Sequence, residues 1–185
     1  MNDEVFPSLE TARLVMREVA ASDAPALLAI HANAQAMRWF GVDPPTDLAQ
    51  AEHIVASFAN LRRPPGTGVR WGLARKTDGA LVGTCGLFRW NRLWGTCTTG
   101  YELARPAWGQ GLMREALEAA LAYGFARMSL ERVEAQVHPD NAPSLKLLQG
   151  LGFVVEGRAR AQGRWGGQRH DMLLLGLLES EYHRS

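Results

Sequence analysis

The apolar positions of this 185-residue chain change period along its length, and each change marks an element. Arg13–Val19 alternates enough to predict a strand with one buried face. Ser22-Asp23-Ala24-Pro25 then supplies a cap and an early proline for a helix running to about Asn33. Trp39-Phe40-Gly41 and Asp43-Pro44-Pro45 predict a loop, and Thr46 is expected to cap a second helix through about Leu61. Arg62-Arg63-Pro64-Pro65-Gly66-Thr67-Gly68 is turn-forming. Three strands follow near Val69–Arg75, Ala80–Trp90 and Gly95–Leu103, the first pair joined at Lys76-Thr77-Asp78-Gly79. From Met113 the apolar residues fall on Ala116, Leu117, Ala120, Leu121, Gly124, Phe125 and Met128, a helical stripe that predicts a helix from about Leu112 to Met128. A strand at Arg132–His138, a short helix capped by Asn141, and strands near Phe153–Arg158 and His170–Leu178 complete the order.

In the short helix Leu145, Leu148 and Leu151 share a face, and Pro143 sits in the first turn, where its missing N–H loses nothing. Gly152 suits the left-handed residue that ends it. Strands that meander first and then alternate with helices predict an α/β (α+β mixed) fold. It is a single mixed, mostly antiparallel sheet of about seven strands with helices on both faces. No repeat, low-complexity tract or linker interrupts the chain, so residues 1–185 are expected to form one domain.

Composition removes several classes of partner. Hydrophobic residues are 46% and charged residues 21%, ordinary globular usage, and the net charge of +1 gives no bulk attraction to nucleic acid or an anionic membrane. Arg158, Arg160, Arg164 and Arg169 gather near the C-terminus, as a site for an acidic partner or as a solvated strand-and-loop face. The first ten residues carry Asp3, Glu4 and Glu10 without an apolar core, and no apolar run approaches the roughly 20 residues of a membrane helix. Cys85 and Cys97 could face each other in a hairpin centred near Asn91, but a reducing cytoplasm would leave two free thiols. His31, His53 and His183 show no zinc-like spacing. The expectation is a cytoplasmic monomer or homodimer with no metal, nucleic-acid or membrane partner.

The most informative segment is Tyr101-Glu102-Leu103-Ala104-Arg105-Pro106-Ala107-Trp108-Gly109-Gln110-Gly111-Leu112-Met113-Arg114-Glu115. A strand ends in a turn with two glycines one residue apart, and a helix begins at once. The unpaired N–H groups of that helix start, backed by its dipole, make an anion site suited to a phosphate or pyrophosphate. The same residues also fit a tight β-to-α turn that holds no ligand. About 30 residues later, Val133 to Phe153 reads as strand, loop, Asn141-x-x-Ser144 helix, glycine stop and strand.

Together these two segments resemble the GCN5-related N-acetyltransferase (GNAT) superfamily, in its RimJ/RimL-type branch. The likeness runs from Leu9-Glu10-Thr11-Ala12-Arg13-Leu14 to Asp171-Met172-Leu173-Leu174-Leu175. It implies a sheet splayed between its fourth and fifth strands, acetyl-CoA as co-substrate, and a Q/R-x-x-G-x-G/A turn on the pyrophosphate. Here the turn reads Trp108-Gly109-Gln110-Gly111-Leu112-Met113, with Trp108 in place of the general Gln or Arg, as in the branch's W-G-K/Q-G version. Met113 stands where Gly or Ala is commoner. The resemblance implies that Trp108, Gly109, Gln110, Gly111, Leu112, Met113 and Arg114 surround the pyrophosphate. It further implies that the Leu103 backbone bonds pantetheine and that Asn141 and Ser144 border it.

Acetyl transfer to an amine needs a proton removed from the amine, a donor to the carbonyl oxygen, and a proton for the leaving thiolate. Given the resemblance, Glu102 is the first candidate base, its alternative being a strand-edge salt bridge. Gln136 occupies the position of a glutamate that some relatives use, and Glu134 and His138 are lesser candidates. Ser144 is the candidate proton donor, against the reading of a first-turn serine satisfying the helix end. The tyrosine that relatives place four residues later is Leu148 here. Trp39 and Trp90 lie in or beside loops that border the acceptor in the family. The expected function is therefore acetyl-CoA-dependent N-acetyl transfer to a protein N-terminus or a small amine, by direct attack in a ternary complex. The alternative is a non-catalytic acyl-CoA-binding or sensing protein.

Overall fold

A computed structural model describes residues 5–62 and 67–182, so Arg63–Gly66 of the turn-forming run and His183 lie outside the described residues. The strands are β1 (Leu9–Glu10), β2 (Leu14–Arg17), β3 (Val69–Arg75), β4 (Leu81–Asn91), β5 (Thr96–Leu103), β6 (Arg132–Val137), β7 (Val154–Trp165) and β8 (Gln168–Leu178). They form one sheet in the order β1-β2-β3-β4-β5-β6-β8-β7. All neighbours are antiparallel except β5 and β6, which run parallel and pair only where Thr96–Thr98 meets Arg132–Glu134. Beyond that, Thr99–Leu103 and Ala135–Val137 separate. This is the expected splay, one strand later in the count because the two-residue β1 adds an edge.

Period-two alternation divides the sheet into two faces. Leu87, Cys85, Cys97 and Val133 lie on one, under α4 (Leu112–Arg127), whose buried residues Met113, Ala116, Leu117, Ala120, Leu121, Gly124 and Phe125 are the stripe read from the sequence. The other face carries α1 (Ala24–His31) and α3 (Leu48–Asn60), which close a smaller core around Val19, Leu27, Ala51 and Val55. Between them lies the one-turn α2 (Ala34–Met37), and α5 (Ala142–Gln149) follows β6.

Several local expectations are corrected. Asn33 does not end the first helix; its side chain accepts from Gln35 and Ala36 N–H and so starts α2. The Asp23 carboxylate does not cap α1 but accepts from Arg17 and Ala20 N–H. Asp47, one residue after Thr46, caps α3 through Gln50 N–H at 2.9 Å. Cys85 opposes Tyr101 rather than Cys97. Both thiols are free and buried, and burial pushes each up to about 12. The arginine-rich segment is a long hairpin of β7 and β8, in which Arg158 pairs with Asp171 at 2.8 Å.

Candidate active site

The separation of β5 from β6 opens a cavity of about 800 Å³ that reaches both sheet faces. Ala104 N–H bonds the Val82 carbonyl at 2.8 Å, so the antiparallel alternation turns the backbone groups of Leu103 away from β4 and into the gap. The Leu103 carbonyl already accepts the Trp108 indole N–H at 2.7 Å. Trp108 thus ties the end of β5 to the turn that follows, and the Leu103 N–H is the group left facing the gap.

That turn is held in an unusual backbone shape. Gly109 and Gly111 have φ of 72° and 76°, the left-handed region, and Gly111 is the N-cap of α4 without any side-chain cap. The first helical bond, Glu115 N–H to Gly111 O, is 3.1 Å, leaving the N–H groups before it without intrahelical acceptors. Arg13 braces the turn from the end of the sheet: its Nη1 donates to Gln110 O at 2.7 Å and its Nε to Glu115 Oε2 at 2.7 Å. Thr11 also bonds the Glu115 carboxylate. The cradle of uncapped N–H groups beside open space at Gly109 has the donors and the room that a phosphate or pyrophosphate requires. Gln110 departs from expectation: its side chain donates to Pro106 O at 2.9 Å and does not wall the cavity. Leu112, Met113 and Arg114 do wall it, and Arg114 is tied to Glu118 and to Gly150 O.

On the same sheet face, α5 presents Ser144. Asn141 caps this helix by accepting from Ser144 N–H at 3.3 Å. The Ser144 hydroxyl is 2.7 Å from the Tyr101 hydroxyl across the gap. Burial pushes the Tyr101 phenol upward, offset in part by the Ser144 hydrogen bond. Tyr101 was not singled out from the sequence. Its strand parity with Leu103 was visible, but its meeting with a residue 43 positions later was not.

Glu102, the next residue, points to the opposite face. Its carboxylate is ion-paired with Arg70 and hydrogen-bonded to Thr84, and His31 Nε2 lies 3.6 Å away. Burial alone would raise this carboxyl, but Arg70, His31 and Thr84 outweigh it and hold it below the ordinary carboxylate range. These contacts make Glu102 a buried ion-pair partner at the cavity wall, the salt-bridge alternative to its reading as a base. Gln136 also reaches that wall, whereas Glu134 pairs with Arg132 at 2.9 Å.

Trp39 walls the same side and stacks on His138 with centroids 3.9 Å apart. Trp165 and His170 extend this cluster from the β7–β8 hairpin, and Trp165 Nε1 donates to Arg38 O at 3.2 Å. The His138 Nδ1 accepts from Asp140 N–H at 3.1 Å, so its ring belongs to the loop, and burial lowers its pKa. Trp90 is not brought to the cavity; it packs at the edge of the main core with Arg92 over its ring at 4.4 Å.

Residues 13–154 match the acetyltransferase (GNAT) domain family. The chain is similar to the uncharacterized N-acetyltransferase p20 of Bacillus licheniformis, with 33% identity over 175 residues covering 95% of this chain and 98% of the relative. It is also similar to the ribosomal protein uS5-alanine N-acetyltransferase of Escherichia coli K12, 36% identical over 86 residues that cover 46% of this chain and 44% of the relative. Its backbone resembles the spermidine N-acetyltransferase of Vibrio cholerae solved in complex with CoA and spermine. The TM-score is 0.79 at 20% identity, with 91% of this chain and 97% of that chain covered.

Proposed function

This chain belongs to the GNAT acetyltransferase family, and from that premise we propose that it moves an acetyl group from acetyl-CoA to a primary amine by direct attack in the cleft between β5 and β6. Acetyl-CoA supplies a thioester carbonyl and a thiol leaving group. The observation that carries the reading is the Ser144 hydroxyl at the cleft, 2.7 Å from Tyr101 and on the same face as the Gly109–Gly111 cradle.

In this reading the backbone from Gly109 to Arg114 holds the pyrophosphate, and the Leu103 N–H and the Asn141–Ser144 turn flank pantetheine. Ser144 donates its proton to the leaving sulfur and regains one from the cleft water that takes the amine proton. Tyr101 is a positioning residue. Its buried phenol keeps its proton, and by donating to the Ser144 oxygen it leaves the serine proton free for the sulfur. The amine gives its proton to water in the cleft, because the Glu102 carboxylate is already engaged by Arg70 and Thr84. The acceptor is a protein N-terminus or a small amine, and Trp39 borders it.

The test is thiol release from acetyl-CoA over a panel of peptides, amino acids and polyamines. Ser144→Ala is expected to lower kcat by about 10-fold to 100-fold while acetyl-CoA KM changes much less. Wild-type kcat in that variant would reduce Ser144 to a helix-end residue. CoA binding without release from any amine would favour a sensor instead.

A further inference from the structure

We infer that the acceptor carries a carboxylate close to its amine, and that Arg38 recognises it; the inference rests on the acetyl-transfer reading of the cleft. The two faces of the cavity differ in charge. On the face away from α4, the side of Trp39 and Glu102, the ionisable side chains walling it are Arg38, Arg70 and Glu102. Arg70 and Glu102 neutralise each other in a buried pair, so no carboxylate there is left to receive a second ammonium group. Arg38 has no ion pair among the described residues. Asp43, five positions on, is engaged elsewhere, accepting from Gly166 N–H at 2.8 Å.

Arg38 is also held in place. It closes α2 as its C-cap, its carbonyl accepts from Trp165 Nε1, and its guanidinium lies 4.5 Å over the Trp39 ring. Trp39 is fixed in turn by its stack on His138. A guanidinium set at a cavity wall by its backbone and an aromatic floor presents its fork of donors outward, the geometry that takes a carboxylate in two parallel hydrogen bonds. A polyamine would instead bring a second positive charge to an uncompensated one. The carboxylate could be the α-carboxylate of a small amino compound or an acidic side chain beside a peptide N-terminus; the chemistry at Arg38 is the same.

The experiment compares kcat/KM for alanine, its amide, aspartyl-alanine amide and spermidine, with the wild-type chain, Arg38→Gln and Arg38→Glu. Wild type should prefer a carboxylate-bearing compound over the plain amide by roughly threefold to tenfold, with spermidine poorer still. The two carboxylate arms distinguish the α-carboxylate from the side-chain source. Arg38→Gln should erase the preference and Arg38→Glu invert it, both with wild-type melting temperature and acetyl-CoA KM, since Arg38 is exposed and its bond to Trp165 is made by its carbonyl, which both variants keep. Turnover with spermidine preferred, or a carboxylate preference that survives Arg38→Gln, would overturn this inference and leave acetyl transfer intact. No thiol release with any amine would overturn the transfer reading and this inference with it.

Discussion

Tyr101 and Glu102 are consecutive, and the pleat of β5 sends them to different surroundings. Tyr101 meets Ser144 under α4 and α5, while Glu102 enters a polar cluster of Arg70, Thr84 and His31 beneath α1. The two roles open to Glu102 predict different outcomes for Glu102→Gln. As an ion-pair partner, its loss strands the buried Arg70 charge, which costs about 3–5 kcal/mol and is read as a lowered melting temperature. As a base, its loss would leave stability intact and slow the reaction, with partial recovery at high pH, where the amine is already neutral. The first outcome is expected. The sign of the acid dependence agrees: a carboxyl held below its ordinary range adds stability that is complete above that range and is lost as pH falls through the folded value. Ser144 and Asn141 were legible in the sequence because a helix cap is a local pattern. A salt bridge was readable as the alternative role of Glu102, but its partner was not, since Arg70 comes from a strand 32 residues earlier and only the β3-β4-β5 register brings it across.

Among the elements, the turn between β5 and α4 carries the clearest constraint. Gly111 needs a φ of 76°, which a β-branched residue adopts only with strain, while the space around it is ordinary, with Arg13 Nη2 3.5 Å from where a Cβ would stand. Gly111→Val should therefore fold with a loss of about 1–3 kcal/mol and rotate the N–H groups out of their cradle. The expected calorimetric result is CoA binding weakened by at least about tenfold, and unchanged affinity in a folded variant would remove this turn from the site. The α4 stripe was readable because one face of that helix is wholly buried. The full length of β7 was not, because most of its residues are exposed and its period-two pattern sets arginine and glutamine against only alanine and glycine until Trp165, too little hydrophobicity to mark a buried face. Its extent is set by turn chemistry instead: Gly166 and Gly167 both take left-handed φ, and Trp165 pairs with Gln168 across them. That Gly-Gly pair was the available signal. It also brings Trp165 to Arg38, so a wall of the cavity depended on a hairpin that hydrophobic pattern alone does not reveal.

At the scale of the molecule, the sheet is two blocks, β1–β5 and β6–β8, joined by the short parallel ladder of Thr96–Thr98 with Arg132–Glu134. The anion cradle belongs to the first block through β5 and α4, and Ser144 to the second through β6 and α5. A ligand that spans both must tie the blocks where their own hydrogen bonds stop. CoA should therefore stabilise the fold by mass action, about 2.7 kcal/mol at a concentration 100 times Kd, which for a chain of this size raises Tm by about 5–11 °C. The location of the protection tests the architecture more sharply than the size of the shift. Hydrogen exchange should slow most where Thr99–Leu103 and Ala135–Val137 face the gap between them and at the start of α4, with much less change in the β7–β8 hairpin. A thermal shift whose protection instead fell on the hairpin or on α3 would place the CoA site outside the splay, and the cleft would lose its claim to be where acetyl transfer occurs.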